Sequence, residues 1–521
     1  MKKIILASVS TLALLTAAPA LAQSNNSLVN QTGSGGQATV GQSGSNGLST
    51  VQQGGANNAA TVSQSGDSAE SFIDQDNGTG SSDDNNRANV TQDGDSYSSV
   101  VQSNDGAEAD VEQTGDGHSS VVSQSGDNDD ATVVQTGSDN VSLVTQSGNT
   151  NGADVLQSGV NNGSIVTQSS GANLAAIDQT GDGNGSTITQ QGLGANSANV
   201  LQSGDGNTSS VTQGGLLNEA GDASDADVRG VIQSGIGNGS TIVQNGGLQS
   251  AFVEQSGDGN TSSVDQGGTI SAAHDASVTQ SGDNNGSTVL QRGALAEAVV
   301  DQSGNDNLSE IDQGGAISSD HRALVAQSGD GNSADVLQRG YEQNAEVTQS
   351  GGGNSAIVDQ GRDQIIFGLG AGSDHDARII QSGDGNEAEV VQRGEQQDAY
   401  VEQIGDLNSA LIDQGTNSGS DHYASITQGG SDNDATTTQT GSDQYAVASQ
   451  AGDLNLSDID QSGSGHTANV TQDGNGNDSF IIQSGTGNSA TVGQYSDGNT
   501  SNVTQAGTGH VAIVTQGSPT P

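Results

Sequence analysis

The sequence predicts an all-β chain, a β-solenoid of about 21 stacked strand-turn-strand coils, and three observations predict it. Forty-two glutamines run from Gln31 to Gln516, and 33 of the 41 intervals between them are 11 residues long. The residue two places before each landmark is Val or Ile in 40 cases, Thr437 and Ala448 being the exceptions, and the residue two places after it is Gly in 35. Between landmarks the polar and apolar positions alternate with period two, which is the signature of a strand with one buried face. A repeat that fills the chain sets the architecture before any local reading.

The stretch 325–338, VAQSGDGNSADVLQ, illustrates one unit. Asn332, Ala334, Val336 and Gln338 form the inner set, alternating with Ser333, Asp335 and Leu337 on the outside. Ser328-Gly329-Asp330-Gly331 is a tight-turn sequence, because Gly and Asp accept left-handed backbone. Two such units make a 22-residue coil. Coils stack by parallel, amyloid-like pairing about 4.8 Å apart, so the full set would extend roughly 100 Å. Each Gln then lies above the Gln one coil earlier. A buried amide is costly unless its donors and acceptors are met, and copies of itself meet them in a ladder. The predicted ladder residues are Gln327, Gln338, Gln349, Gln360, Gln381, Gln392, Gln403 and Gln414, with Asn332, Asn354, Asn386 and Asn408 in a second set.

The irregular intervals support the two-per-coil count. The longer gaps follow Gln75, Gln213, Gln266, Gln313, Gln360 and Gln414, all odd-numbered landmarks. Every insertion is therefore expected at one edge of the stack, with the larger ones near 76–86, 214–227 and 361–375. Arg292, Arg339 and Arg393 each follow a landmark directly and recur every second coil. Duplication of a double coil explains both rhythms.

Residues 1–22 read as a secretory signal: Lys2 and Lys3, the apolar run 4–15, and Ala20-Leu21-Ala22 before the cut. A short segment 23–30 follows, then the repeat domain 31–517 and a tail 518–521. The apolar run is short for a membrane span and no other follows, so an extracellular protein at the cell surface, without a membrane span, is expected. The chain has no cysteine, so disulfides contribute nothing. Beyond the signal, eight arginines oppose 62 acidic residues. Such a polyanion repels nucleic acid, so no nucleic-acid partner is expected. Like charges stacked one coil apart repel, so salt or acid should favour stacking.

Candidate chemistry is sparse. All seven histidines (His118, His274, His321, His375, His422, His466, His510) fall six residues before a landmark, the slot otherwise favoured by Asn. They read as polar substitutes in the Asn column. Neighbours two coils apart would stand roughly 10 Å from each other, too far for one ion to bridge. The sequence has no G-x-S-x-G elbow, and every Ser, His and Asp lies at a repeat position. Neither an enzyme, a catalytic residue, a metal ligand set nor a cofactor is expected; the acidic turns suit at most weak divalent-cation binding.

The pattern resembles the curlin repeat of bacterial curli fibre subunits, Ser-x5-Gln-x-Gly-x-Gly-Asn-x-Ala-x3-Gln. The part from Gln onward is matched in full at Gln327-Gly329-Gly331-Asn332-Ala334-Gln338, and again from Gln349, Gln381 and Gln483. The leading Ser is replaced by His321, Gln343, His375 and Asn477 in those four copies. The resemblance implies self-assembly into amyloid fibres for adhesion and biofilm matrix, with an outer-membrane secretion pore and a nucleator as partners. The alternative is a monomeric acidic solenoid acting as an adhesin or calcium-binding surface module.

Overall fold

A computed structural model describes residues 24–75, 85–192, 194–221, 230–314, 320–361, 373–415 and 420–517. The signal sequence, the tail 518–521 and most of the insertions near 76–86, 214–227 and 361–375 lie outside the described residues. The described chain is all strand and turn, 43 strands in total. It divides into two units, Met1–Gly183 and Asn184–Pro521.

Each unit is a parallel β-solenoid with a repeat of about 22 residues. In the first unit the strand Asn26–Gln31 pairs in parallel with Leu48–Gln53, setting Gln31 against Gln53 and Val29 against Val51. The intervening strand Gln37–Gln42 pairs with Ala59–Gln64. Successive strands thus belong to opposite faces, and each finds its partner one coil later. The first strand starts at Asn26, inside the segment 23–30 that the sequence had left ahead of the repeats.

In the second unit Ser333–Gln338 pairs with Leu308–Gln313 on one side and Ser355–Gln360 on the other. Its burial alternates as the period-two reading requires: Ala334, Val336 and Gln338 are buried and Asp335 is exposed. Insertions leave the register intact, since Gln349 still pairs with Gln381 across a long gap. The core is a single file of Val, Ile and Ala from each sheet, with the glutamines buried among them. Thr437 and Ala448 keep the Val/Ile slot and are fully buried.

The turns are as constrained as the strands. Gly329 has φ near 98°, and a Cβ there would lie 2.2 Å from the carbonyl oxygen of Gly351 in the next coil. Only glycine permits that approach at that dihedral.

One insertion departs from the expected edge. Glu219 and Ala220 pair with Ser197 and Ala198, and the same strand position resumes only at Val231, opposite Val200. The chain leaves between Ala220 and Gly230, in the middle of a strand. This split gives 43 strands for 42 landmarks. The remainder of the region 214–221 continues regular pairing: Gly214, Gly215 and Leu216 face Asn245, Gly246 and Gly247.

Candidate functional site

The feature that repeats through the molecule is the stacked amide, and the strands place it. Each landmark Gln lies on the inner face at or near the end of a strand, so parallel in-register pairing sets like on like. The eight predicted glutamines fall into two columns, one per sheet. In the first, Gln327 Nε2 donates to Gln349 Oε1 at 2.8 Å, Gln349 to Gln381 at 2.8 Å, and Gln381 to Gln403 at 2.9 Å. In the second, Gln338 donates to Gln360 at 2.9 Å, Gln360 to Gln392 at 2.9 Å, and Gln392 to Gln414 at 3.0 Å. The second Nε2 hydrogen goes to a backbone carbonyl, as from Gln338 to Arg322 at 2.9 Å. Every link points the same way, donor toward the C-terminal neighbour.

The four predicted asparagines form one column, in the turns that follow even-numbered landmarks. Asn354 donates through Nδ2 to Asn332 Oδ1 at 3.0 Å, and its backbone N–H shares that oxygen at 3.1 Å. Asn386 and Asn408 repeat both bonds on the preceding Asn. Nδ2 also reaches the carbonyls of Ser350 and Gly383. Here the donor points toward the N-terminal neighbour, opposite to the glutamine columns.

The opposite turns hold a different set. His375 pairs with Gln343 before it and Gln397 after it, and Gln397 with His422. Six histidines (His274, His321, His375, His422, His466, His510) lie in this turn, so the slot that the sequence shares between Asn and His belongs to two columns, and these six stand in the one that also holds Asn488. Landmark parity, which located the insertions, carries this signal too. His118 sits on the Asn side: Asn140, in the next coil, donates its N–H to His118 Nδ1 at 3.3 Å. His118 Nε2 lies 3.1 Å from the Thr114 carbonyl. His466 repeats both contacts with Asn488 and Ser462. The ring thus mimics an Asn amide, Nδ1 accepting where Oδ1 would and Nε2–H donating where Nδ2 would, which requires the neutral tautomer.

Charge is organised around the same edge. Arg292 and Arg339 reach back one coil to the carboxylates of Asp265 and Asp312, at 2.6 and 2.5 Å. Arg393 does the same to Asp359. Burial, then the nearby guanidinium, lowers the His274, His321 and His375 pKa values to about 4. Burial also lowers His422. On the outer faces Asp335 is pushed up, first by desolvation and then by Glu310, Asp359 and Asp312. Among the described residues no three His, Asp or Glu side chains gather as a metal site. Among the described residues no helix is long and apolar enough to cross a membrane.

The arrangement holds backbone and amides in register; it is a structural rather than a catalytic pattern. Ten stretches match the family model described as "Curlin associated repeat", at residues 105–137, 126–159, 235–268, 329–361, 372–405, 383–415, 398–430, 430–463, 465–495 and 474–507. No curated protein matches the chain. The repeat model, the in-register glutamine columns and the glycine turns agree, and the chain belongs to the curlin-repeat family.

Proposed function

We propose that this chain is an extracellular, curli-like fibre subunit that polymerises by adding coil to coil and serves in adhesion and biofilm matrix. The observation that carries the proposal is the state of the outermost described coils. On the inner face of the first strand Val29 is 36% exposed, and Ala512, Val514 and Gln516 of the last strand are only half-buried. The equivalent Val51 and Val492, each one coil further in, are covered at 0 and 1% exposure. The ladders add polarity. Gln516 accepts from Gln494 and keeps its other Nε2 hydrogen for a following coil, after one goes to Thr500. Gln31 donates to Gln53, which leaves its Oε1 as the acceptor for a preceding one. The two ends match in a head-to-tail sense, and exposed strand edges template such growth.

Curlin-repeat proteins are generally extracellular surface fibre subunits, which supports the signal reading of residues 1–22 and a curli-type pore and nucleator as partners. The test is incubation of the secreted chain followed by thioflavin fluorescence and fibre diffraction. The expected result is dye binding with reflections at about 4.7–4.8 and 10 Å. A chain that stays monomeric and dye-negative, with or without calcium, would overturn the reading.

A further inference from the structure

Four of the intervals lengthened by insertion, those after Gln266, Gln313, Gln360 and Gln414, end on the same residue type in the same slot. Where the chain rejoins the stack it carries His274, His321, His375 and His422, each at most 2% exposed. The coils between them carry Ala296, Gln343 and Gln397 in that slot, and the coil after His422 carries Gln444.

The surroundings of the first two rings favour the neutral form. Ala296 donates its N–H to His274 Nδ1 at 3.3 Å. A proton on that nitrogen would set N–H against N–H. Neither ring nitrogen of His321 has a hydrogen-bond partner among the described residues, so a charged ring there would be buried with two unmet donors. The charged groups facing the rings sharpen the difference between them. His274 faces Arg292, and His321 faces Arg339 and His274 itself, all adverse to a second positive charge. His375 faces Arg393 but also Asp374 and the Gly394 backbone. His422 faces no guanidinium, and Asp421, Asp443 and the Gly441 backbone favour its charged form.

We propose that these four imidazoles make the loop-bearing edge of the second unit a proton-operated catch, closed while the rings are neutral and opened locally by mild acid. The Asn332–Asn408 edge carries no imidazole; its titratable side chains, Asp330, Asp384 and Asp406, are carboxylates that accept backbone N–H groups across the coils, and it stays closed over the same range. His274 and His321 open first and His422 last, in the order their neighbours set. The proposal holds for one chain or for a fibre.

Hydrogen–deuterium exchange resolved to single amides, corrected for intrinsic rate, tests it at pH 7 and pH 5. The reporters are the N–H groups of Ala296, bonded to His274, and Glu297, bonded to the His321 carbonyl. Asn354 and Asn386, bonded to asparagine oxygens, are the controls. A ring that titrates near 4 when packed and near 6.5 when released favours opening on the order of 20-fold more at pH 5 than at pH 7. The reporters should lose protection by that factor and the controls should not. A chain with all four histidines replaced by Asn, the residue native to the other edge, should show no change at either pair; the single His321→Asn chain serves if that one does not fold. Equal protection of the reporters at both pH values, or a loss that persists in the Asn variants, would overturn the proposal.

Discussion

The two edges of the second unit share a backbone and a slot but not a chemistry. On one edge asparagines run unbroken from Asn184 to Asn499, each oxygen taking the N–H of the next coil. On the other the slot is mixed, with Asn218, Gln249, His274 and Ala296 before His and Gln alternate from His321 to His466, and the amide oxygens of Gln343, Gln397 and Gln444 have no partner among the described residues. Asn has the right reach: one methylene puts Oδ1 at the next N–H and Nδ2 at the carbonyl four residues back. Gln is longer, so Gln343 Nε2 finds the Arg339 carbonyl but its oxygen overshoots. In this unit the asparagine ladder runs uninterrupted, and the extra chain at turns enters at the edge without one. The turn insertions lie on the edge that has least to lose.

The largest effect should come from breaking the asparagine run. Asn354→Leu removes the acceptor of the Asn386 N–H and strands the carbonyls that Nδ2 serves. A loss of about 2–4 kcal/mol is expected from buried polar groups left unmet. Gln343→Leu, on the other edge, deletes an oxygen that has no partner and should cost under about 1.5 kcal/mol. Guanidinium midpoints of the two variants measure the comparison directly. Equal losses would erase the distinction between the edges.

Acid should separate the edges next. His274, His321 and His375 have folded pKa values near 4, below the free value of 6.5, so their contribution is full above 6.5 and is lost as pH falls to about 4. Each ring accounts for at most about 3 kcal/mol over that window. Asp335, Asp398, Asp413 and Asp458 have raised pKa values, so they oppose folding at neutral pH, and that opposition fades as pH drops through those values. Stability should therefore fall from pH 7 toward pH 5, against the simple expectation from net charge. In the fourfold His→Asn chain only the carboxylate trend should remain, and the midpoint should rise on acidification.

The arginine bridges should matter less. Arg339 is largely covered, and its guanidinium ties the Asp312 carboxylate and backbone oxygen across a coil. Arg339→Gln should cost about 1–2 kcal/mol by losing charge-assisted bonds at a half-covered site. Arg87, with its side chain 51% exposed beside Glu108, is the control, and Arg87→Gln should cost under about 0.5 kcal/mol.

Much of this was legible from residues alone, and the exceptions have physical causes. Val336 and Gln338 announce an inner face by period two, and the 11-residue spacing announces stacking, because both follow from strand geometry. The break between Ala220 and Gly230 was not legible, since an interval length does not say where within the unit the excess leaves. Nor were the turn dihedrals: Leu217, Leu248, Leu295, Leu407 and Leu454 take φ of 55, 60, 56, 58 and 60°. Leucine disfavours that region by about 1–2 kcal/mol, so the turn position imposes it. The opposed donor directions of the Gln and Asn columns depend on side-chain length against coil rise, which composition does not encode.

The smallest expected effect concerns exposed carboxylates, Asp335 on an outer face and Asp384 in the asparagine-edge turns. Asp335 lies on an outer face, stacked between Glu310 and Ile357, with Asp312 and Asp359 nearby. It accepts no backbone bond that would reward its charge. Asp384 is also exposed, but its Oδ1 takes the Gly352 N–H at 2.8 Å, in a column where Asn305 and Asn475 make the same bond. Asp335→Asn should stabilise by a few tenths of a kcal/mol, discounted for solvent screening, and the gain should shrink at high salt and below pH 4. Asp384→Asn keeps its acceptor and should change stability by less. If Asp335→Asn gained nothing at low salt, repulsion between stacked carboxylates would be negligible in this solenoid, and its acidic faces would carry no stability cost.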